Sequence, residues 1–310
     1  MKYIKNVPVV ACGLSLSLAA LGNLLLPYGD AIRYICGFLS IAIFLVLILK
    51  LFLAYEQIKE ELKNPIVLSI MPTSTMALML LCTYIKPFAG SAAVFLWYAV
   101  VITHFCLMCF LIKRFICNFT IQAAFPSWFA VFVGVVAVSI SGAVMEARLI
   151  GRAAFYIGFI HYFLILPLVI YRVVKVKLMP EPARPTIAIF NAPMSLCITG
   201  YFSSFEQQNA VLVYFMLSIA VITYVYVSIN MVFLLRLQFY PSYAAFTFPY
   251  VISAIAFKTA NVFLAENGIN FFNFIPPISE LAAIAVVVYV LIRYLIFIIR
   301  PESEKRAVVC

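Results

Sequence analysis

Charge is what this sequence has least of. Only 10% of its 310 residues are Asp, Glu, Lys or Arg, against 66% hydrophobic ones, and the mean hydropathy is +1.13. Soluble domains carry about a quarter charged residues. A chain of this size with so few cannot cover a water-facing surface. An ordinary soluble enzyme, a disordered chain and a disulfide-rich secreted module are thereby excluded. Histidine is scarce, with two residues, and Asp+Glu number 11. There is no phosphate-cradling P-loop, no G-x-S-x-G elbow and no dinucleotide fingerprint. Neither an enzyme nor a bound cofactor is expected. Cys106 and Cys109 form a Cys-x-x-Cys just after His104, and the other histidine is His161. A metal site wants a fourth ligand and groups that orient the first ones. The eight cysteines read better as small buried hydrophobes, and no metal is expected. An intramembrane metal-dependent enzyme built on His104, Cys106 and Cys109 is the alternative from a different class.

Long apolar runs are what the sequence has instead. A helix crosses the hydrocarbon with about 20 mostly apolar residues. Cutting at charge and Pro/Gly clusters gives ten spans, about 7–27, 31–53, 66–86, 92–113, 126–147, 152–172, 185–205, 209–235, 242–265 and 276–299. Residues 1–310 therefore read as a single all-α transmembrane domain. The first run follows Lys2 and Lys5 as a signal peptide would. Nine further spans and the lack of a small-residue cleavage site argue against that. Ten spans place both termini on one side. Of 21 Lys+Arg, 15 then fall on the terminal side and four (Arg33, Lys86, Arg148, Arg152) on the other, with Lys258 and Arg293 inside spans. Positive residues collect in cytoplasmic loops, so both termini are expected in the cytoplasm and the protein in the inner or plasma membrane. The net charge of +10 is then mostly topology, and no nucleic-acid partner is expected.

Proline divides the spans into two kinds. Pro8, Pro72, Pro126, Pro193 and Pro249 fall on the odd spans, 64, 54, 67 and 56 positions apart. The odd spans also hold Ser15, Thr73, Ser74, Ser141, Asn191 and Thr247, whereas the even ones are mostly aliphatic and aromatic. Proline frees a backbone carbonyl, which in lipid must find a partner or water. The pattern predicts five helical hairpins, with an inner ring of odd helices around a central pore and an outer ring of even helices facing the bilayer.

Several stretches resemble the tellurite-resistance/dicarboxylate transporter family, which includes the slow-type anion channels of plant guard cells. They are Val7-Pro8 leading to Gly13, Phe125-Pro126-Ser127-Trp128-Phe129 with Gly134, Asn191-Ala192-Pro193, and the run Tyr240-Pro241-Ser242-Tyr243-Ala244-Ala245-Phe246-Thr247-Phe248-Pro249. The resemblance implies a homotrimer with one pore per protomer. It implies a phenylalanine of the ninth span plugging that pore, for which Phe248 is the match. It also implies transport of small inorganic or organic anions: chloride, nitrate, or C4-dicarboxylates such as malate. A dicarboxylate or tellurite-resistance carrier with alternating access is the second transport reading.

Phe248 is thus the expected gate, since a ring beside a proline kink can close a pore by filling it and excluding water. Phe246 lies about 200° around the helix and faces elsewhere. Pore lining or kinks are expected from Pro8, Pro72, Pro126, Pro193, Pro249, Ser15, Thr73, Ser74, Ser141, Asn191 and Thr247. Lys258 either supplies pore electrostatics or snorkels and pairs, with Glu266 and Glu280 as partners. Arg148 and Arg152, with Arg33 and Lys86, either form an electropositive mouth or anchor helix ends. No Asp or Glu sits at the centre of an odd span. That favours passive conduction over coupled pumping.

Overall fold

The computed structural model describes residues 2–176 and 179–299. Met1, Lys177, Leu178 and 300–310 lie outside the described residues, and with them Arg300, Lys305, Arg306 and Cys310 of the charge and cysteine readings. Among the described residues every regular element is helical. Seven helices are long and apolar enough to cross a bilayer: Asp30–Leu53, Pro65–Ala89, Ser91–Cys117, Arg148–Val176, Ala210–Leu234, Pro241–Glu266 and Ile275–Ile299. The chain is a multi-pass membrane protein.

We label the main α-helical segments α1 (Cys12–Leu24), α2 (Asp30–Leu53), α3 (Pro72–Ala89), α4 (Ser91–Cys117), α5 (Ala137–Val144), α6 (Arg148–Tyr171), α7 (Ala192–Ser204), α8 (Ala210–Leu234), α9 (Ala244–Glu266) and α10 (Ile275–Ile299). Three of the ten expected spans are segmented rather than continuous. Around α1 the chain forms 3-10 turns at Val9–Ala11 and Leu26–Tyr28, next to Pro8 and within reach of Pro27, which withhold N–H groups. The run expected at 126–147 divides into Trp128–Phe132, a 3-10 turn at Gly134–Val136, and α5. Gly134 and five nearby valines (Val131, Val133, Val135, Val136, Val138) carry low helix propensity. The run expected at 185–205 begins as a 3-10 helix over Glu181–Asn191 before α7. Such helices rarely exceed one turn. This one contains Pro182 and Pro185, and each proline removes an α-type hydrogen bond. Pro72 marks a smaller break, where Pro65–Ile70 gives way to α3.

Burial separates the two kinds of segment. Nearly every residue of α1 and α7 is buried, whereas α2 buries only Cys36, Gly37, Ser40 and Lys50. The most apolar windows of Pro65–Ala89 and Pro241–Glu266 are 72% and 61% buried, against 22% to 33% for the other five long helices. The buried segments pack in a closed cycle, α1 on α3, α3 on α5, α5 on α7, α7 on α9 and α9 on α1. Each also packs on its successor: α1 on α2, α3 on α4, α5 on α6, α7 on α8 and α9 on α10. Glycine permits the closest of these approaches. A Cβ at Gly158 of α6 would run into Val136 Cγ2. Gly90, with φ of 50°, makes the one-residue reversal between α3 and α4, a conformation that favours glycine.

At the end where α2 finishes, Lys50 is fully buried in the last helical turn. Its Nζ donates to the Val7 carbonyl at 2.7 Å and pairs with Glu61. Glu61 in turn accepts from the Val9 N–H at 2.8 Å, so one carboxylate satisfies both a buried cation and an unpaired helix-start donor. Lys50 is one of the 15 basic residues counted on the terminal side, and the short helix Tyr55–Glu61 packs back on α2 and brings Glu61 to it.

Candidate functional site

Two cavities lie inside the cycle of buried segments. The larger, about 300 Å³, takes wall residues from all five: Leu16, Ala20 and Asn23 of α1, Leu80 of α3, Ala137 and Ile140 of α5, Leu196, Thr199 and Ser203 of α7, and Phe248, Ile252, Ile255, Lys258 and Thr259 of α9. The smaller, about 50 Å³, is walled by Gly13, Thr73, Met76, Phe129, Gly134, Pro193, Ala244, Ala245, Pro249 and others, nearly all apolar. Phe248 and Leu196 belong to both walls. They are where the two spaces meet, and Phe248 is 9% exposed. Phe246, fully buried, packs at 4.7 Å from the Tyr243 ring and lines neither cavity.

Helical spacing explains which residues face the larger cavity. On α9 they are Phe248, Ile252, Ile255 and Thr259, and on α7 Leu196, Thr199 and Ser203, each set stepping three or four residues along one face. Lys258 is about 80° off the Phe248 direction, yet its long stem reaches the wall. Leu196, Asn23, Thr199 and Ser203 were not singled out from the sequence, whereas Thr259 was among the odd-span hydroxyls read as pore lining. The i, i+3, i+7 stripe through Leu196 was the available signal.

Of the residues expected to line a pore, Thr73, Pro193, Pro249 and Phe248 wall the cavities. Pro8, Pro72, Pro126, Ser15, Ser74, Ser141, Asn191 and Thr247 do not. The hydroxyls among them bond to neighbouring helices or their own backbone. Ser15 Oγ lies 2.9 Å from Ser40 Oγ of α2. Ser141 Oγ accepts from Trp97 Nε1 of α4 at 2.8 Å. Ser74 and Thr247 donate to the carbonyls of Met71 and Ala244. Asn191 Nδ2 donates to the Pro249 carbonyl at 3.5 Å. Away from water a hydroxyl takes the nearest carbonyl, on its own helix or the next. That leaves the smaller cavity with little polar wall. Thr73 itself gives its proton to the Ile70 carbonyl.

The basic residues are mostly paired. Lys258 Nζ is 2.9 Å from Glu280 Oε2 of α10 and 5.4 Å from the Tyr28 ring centroid. The Tyr28 phenol donates to Glu280, which raises its pKa, with the carboxylate charge adding to the effect. Arg148 pairs with Glu206 at 2.7 Å. Arg152 donates to the Ser204 carbonyl and lies over Phe205. Arg33 donates to Asn23 Oδ1 at 3.1 Å and covers the Tyr84 ring. Lys86 pairs with Glu146 at 2.6 Å, and that hydrogen bond and charge hold the Glu146 carboxyl below its ordinary pKa.

The metal-enzyme reading gains no geometry. His104 is fully buried with Nδ1 2.7 Å from Thr75 Oγ1, while Cys106 and Cys109 are exposed. Among the described residues no three His, Cys, Asp or Glu side chains converge as a metal site would need.

No curated protein matches the sequence. The family comparison does: residues 6–295 match SLAC1, described as voltage-dependent anion channel. That match spans almost the whole described chain and includes every wall residue of both cavities. A multi-pass helical protein with a cavity pair inside a cycle of buried segments, matched over that length, belongs to the SLAC1 voltage-dependent anion channel family, and is a transport protein rather than an enzyme.

Proposed function

We propose that the chain conducts small anions, chloride and nitrate or C4-dicarboxylates, through a conduit closed at Phe248. In this reading α1, α3, α5, α7 and α9, with the short pieces before them, form the inner ring of ten crossings arranged as five hairpins. The aliphatic faces of α2, α4, α6, α8 and α10 meet lipid, or neighbouring copies in a homotrimer. The basic loops put both termini in the cytoplasm of a cell bounded by the inner or plasma membrane. The smaller cavity then faces the cytoplasm and the larger one faces out.

The observation that carries the reading is that one aromatic ring walls both cavities within the cycle of buried segments. A narrow apolar constriction excludes water and so blocks an ion that has no replacement for its hydration. Pairing of Lys258 with Glu280 and of Arg148 with Glu206 suits the same function. An unpaired cation would hold an anion more tightly, whereas conduction needs weak binding.

The test is recording from the purified full chain in planar bilayers with chloride, nitrate and malate in turn. Anion-selective current that grows linearly with concentration is expected. Saturation at low concentration with counterflow would replace the channel by an alternating-access carrier. Absence of any anion flux from folded protein would overturn both.

A further inference from the structure

The larger cavity has a chemical gradient along its length. Toward Phe248 its walls are Leu16, Ala137, Leu196 and Ile252; toward the far end they include Asn23, Ser203, Lys258 and Thr259. Lys258 lies ten residues beyond Phe248, about 15 Å along the helix. The polar end is short of hydrogen-bond donors. Thr199, Ser203 and Thr259 give their protons to the carbonyls of Ser195, Thr199 and Ile255, so their oxygens meet the cavity as acceptors. Asn23 accepts from Arg33 through Oδ1, which leaves its amide nitrogen as a donor. The donor set is therefore the Lys258 ammonium, shared with Glu280, and the Asn23 amide.

We propose that the larger cavity docks small aliphatic monocarboxylates, with the carboxylate at Lys258 and Asn23 and the alkyl chain against the apolar wall near Phe248. This rests on the anion-conduction reading and narrows its substrate class. A volume of about 300 Å³ is at the lower limit of small-molecule sites. One donor pole serves one carboxylate. The second carboxylate of a C4-dicarboxylate would lie among Leu16, Leu196 and Ile252 with no donor, and an unpaired charge there is disfavoured. A bare halide fills the donor pole and leaves the apolar wall unused.

The experiment adds acetate, propionate or butyrate to the larger-cavity side of the full chain in a bilayer carrying chloride current. The thermal unfolding of the purified protein is followed in the same anions, as ligand bound only by the folded state raises the midpoint. Block should tighten about fourfold per added methylene, and succinate should be at least tenfold weaker than butyrate. Lys258→Met with Glu280→Gln, which removes the pair without stranding a carboxylate, should weaken butyrate at least tenfold; Asn23→Leu should weaken it less. Block independent of chain length, succinate equal to butyrate, or butyrate unaffected by both variants would overturn the docking site while leaving conduction intact. No chloride current, but a butyrate-dependent midpoint shift lost in the double variant, would overturn conduction and keep the docking site.

Discussion

Replacing Phe248 with alanine should raise chloride flux about 5- to 150-fold. The ring is shared by cavities of about 300 and 50 Å³, so removing it joins them into one space. A chloride ion passing the joined space keeps water that the ring would have stripped. Losing one hydrogen-bond partner in a dry site costs ~1–3 kcal/mol. Each ~1.4 kcal/mol taken off a barrier is tenfold in rate, which gives the stated range. The fold should tolerate the change. Phe→Ala costs ~3–5 kcal/mol in a filled core, but a ring with empty space on two sides has fewer contacts to lose, so the loss should fall below ~3 kcal/mol. Phe246→Ala is the contrast. That ring is fully buried against Tyr243 and lines neither cavity. It should lose ~3–5 kcal/mol of stability with no gain in flux. The assay is chloride efflux from liposomes at matched protein density, with thermal unfolding as the control. Equal flux for Phe248→Ala and wild type in folded protein, or a gain with Phe246→Ala instead, would refute the reasoning.

Lys50→Met should destabilise by ~3 kcal/mol or more, because removing one partner of a buried pair strands the other; Lys50→Met with Glu61→Gln should recover part of it. Melting of the single variant at the wild-type temperature would count against a structural role for the clamp. The Lys86–Glu146 tether depends on pH in a defined direction. The folded carboxyl titrates below its ordinary value, so the tether contributes above the ordinary carboxylate range and is lost as pH falls through the lowered value. Amide protection in the turn around 144–147, taken relative to the intrinsic exchange rate at each pH, should therefore fall on acidification, and Glu146→Gln should flatten that dependence; identical profiles would dispose of the idea. Gly158→Ala should cost ~1–3 kcal/mol, as the new methyl meets Val136 Cγ2 in a packed interface. An unaltered unfolding midpoint would mean that the short segment before α5 yields freely.

Much of this architecture is written in residue spacing. Hydropathy runs locate the helices to within a few residues, because lipid demands about 20 apolar residues per crossing whatever surrounds them. Proline and glycine mark the segments that end up buried and broken, because a missing N–H or Cβ acts locally. The run ending Phe248-Pro249 points to the ring that walls both cavities. Hydroxyl-rich composition misleads at the next level. Ser15 and Ser141 read as pore lining, but each turns toward a hydrogen-bond partner on a neighbouring even-numbered helix, and a one-dimensional pattern does not say which side of a helix that partner occupies.

By itself, then, the chain specified where its apolar runs lie, which of them carry proline and which aromatic stands beside Pro249. These are short-range consequences of covalent structure and hydrophobicity. Only tertiary packing decided that Lys50 is sealed by Glu61, that Lys258 meets Glu280 across α9 and α10, and that Leu196 shares a wall with Phe248. Each of those pairs joins residues more than ten positions apart. Their meeting depends on how whole helices rotate and stack, and local sequence does not encode that.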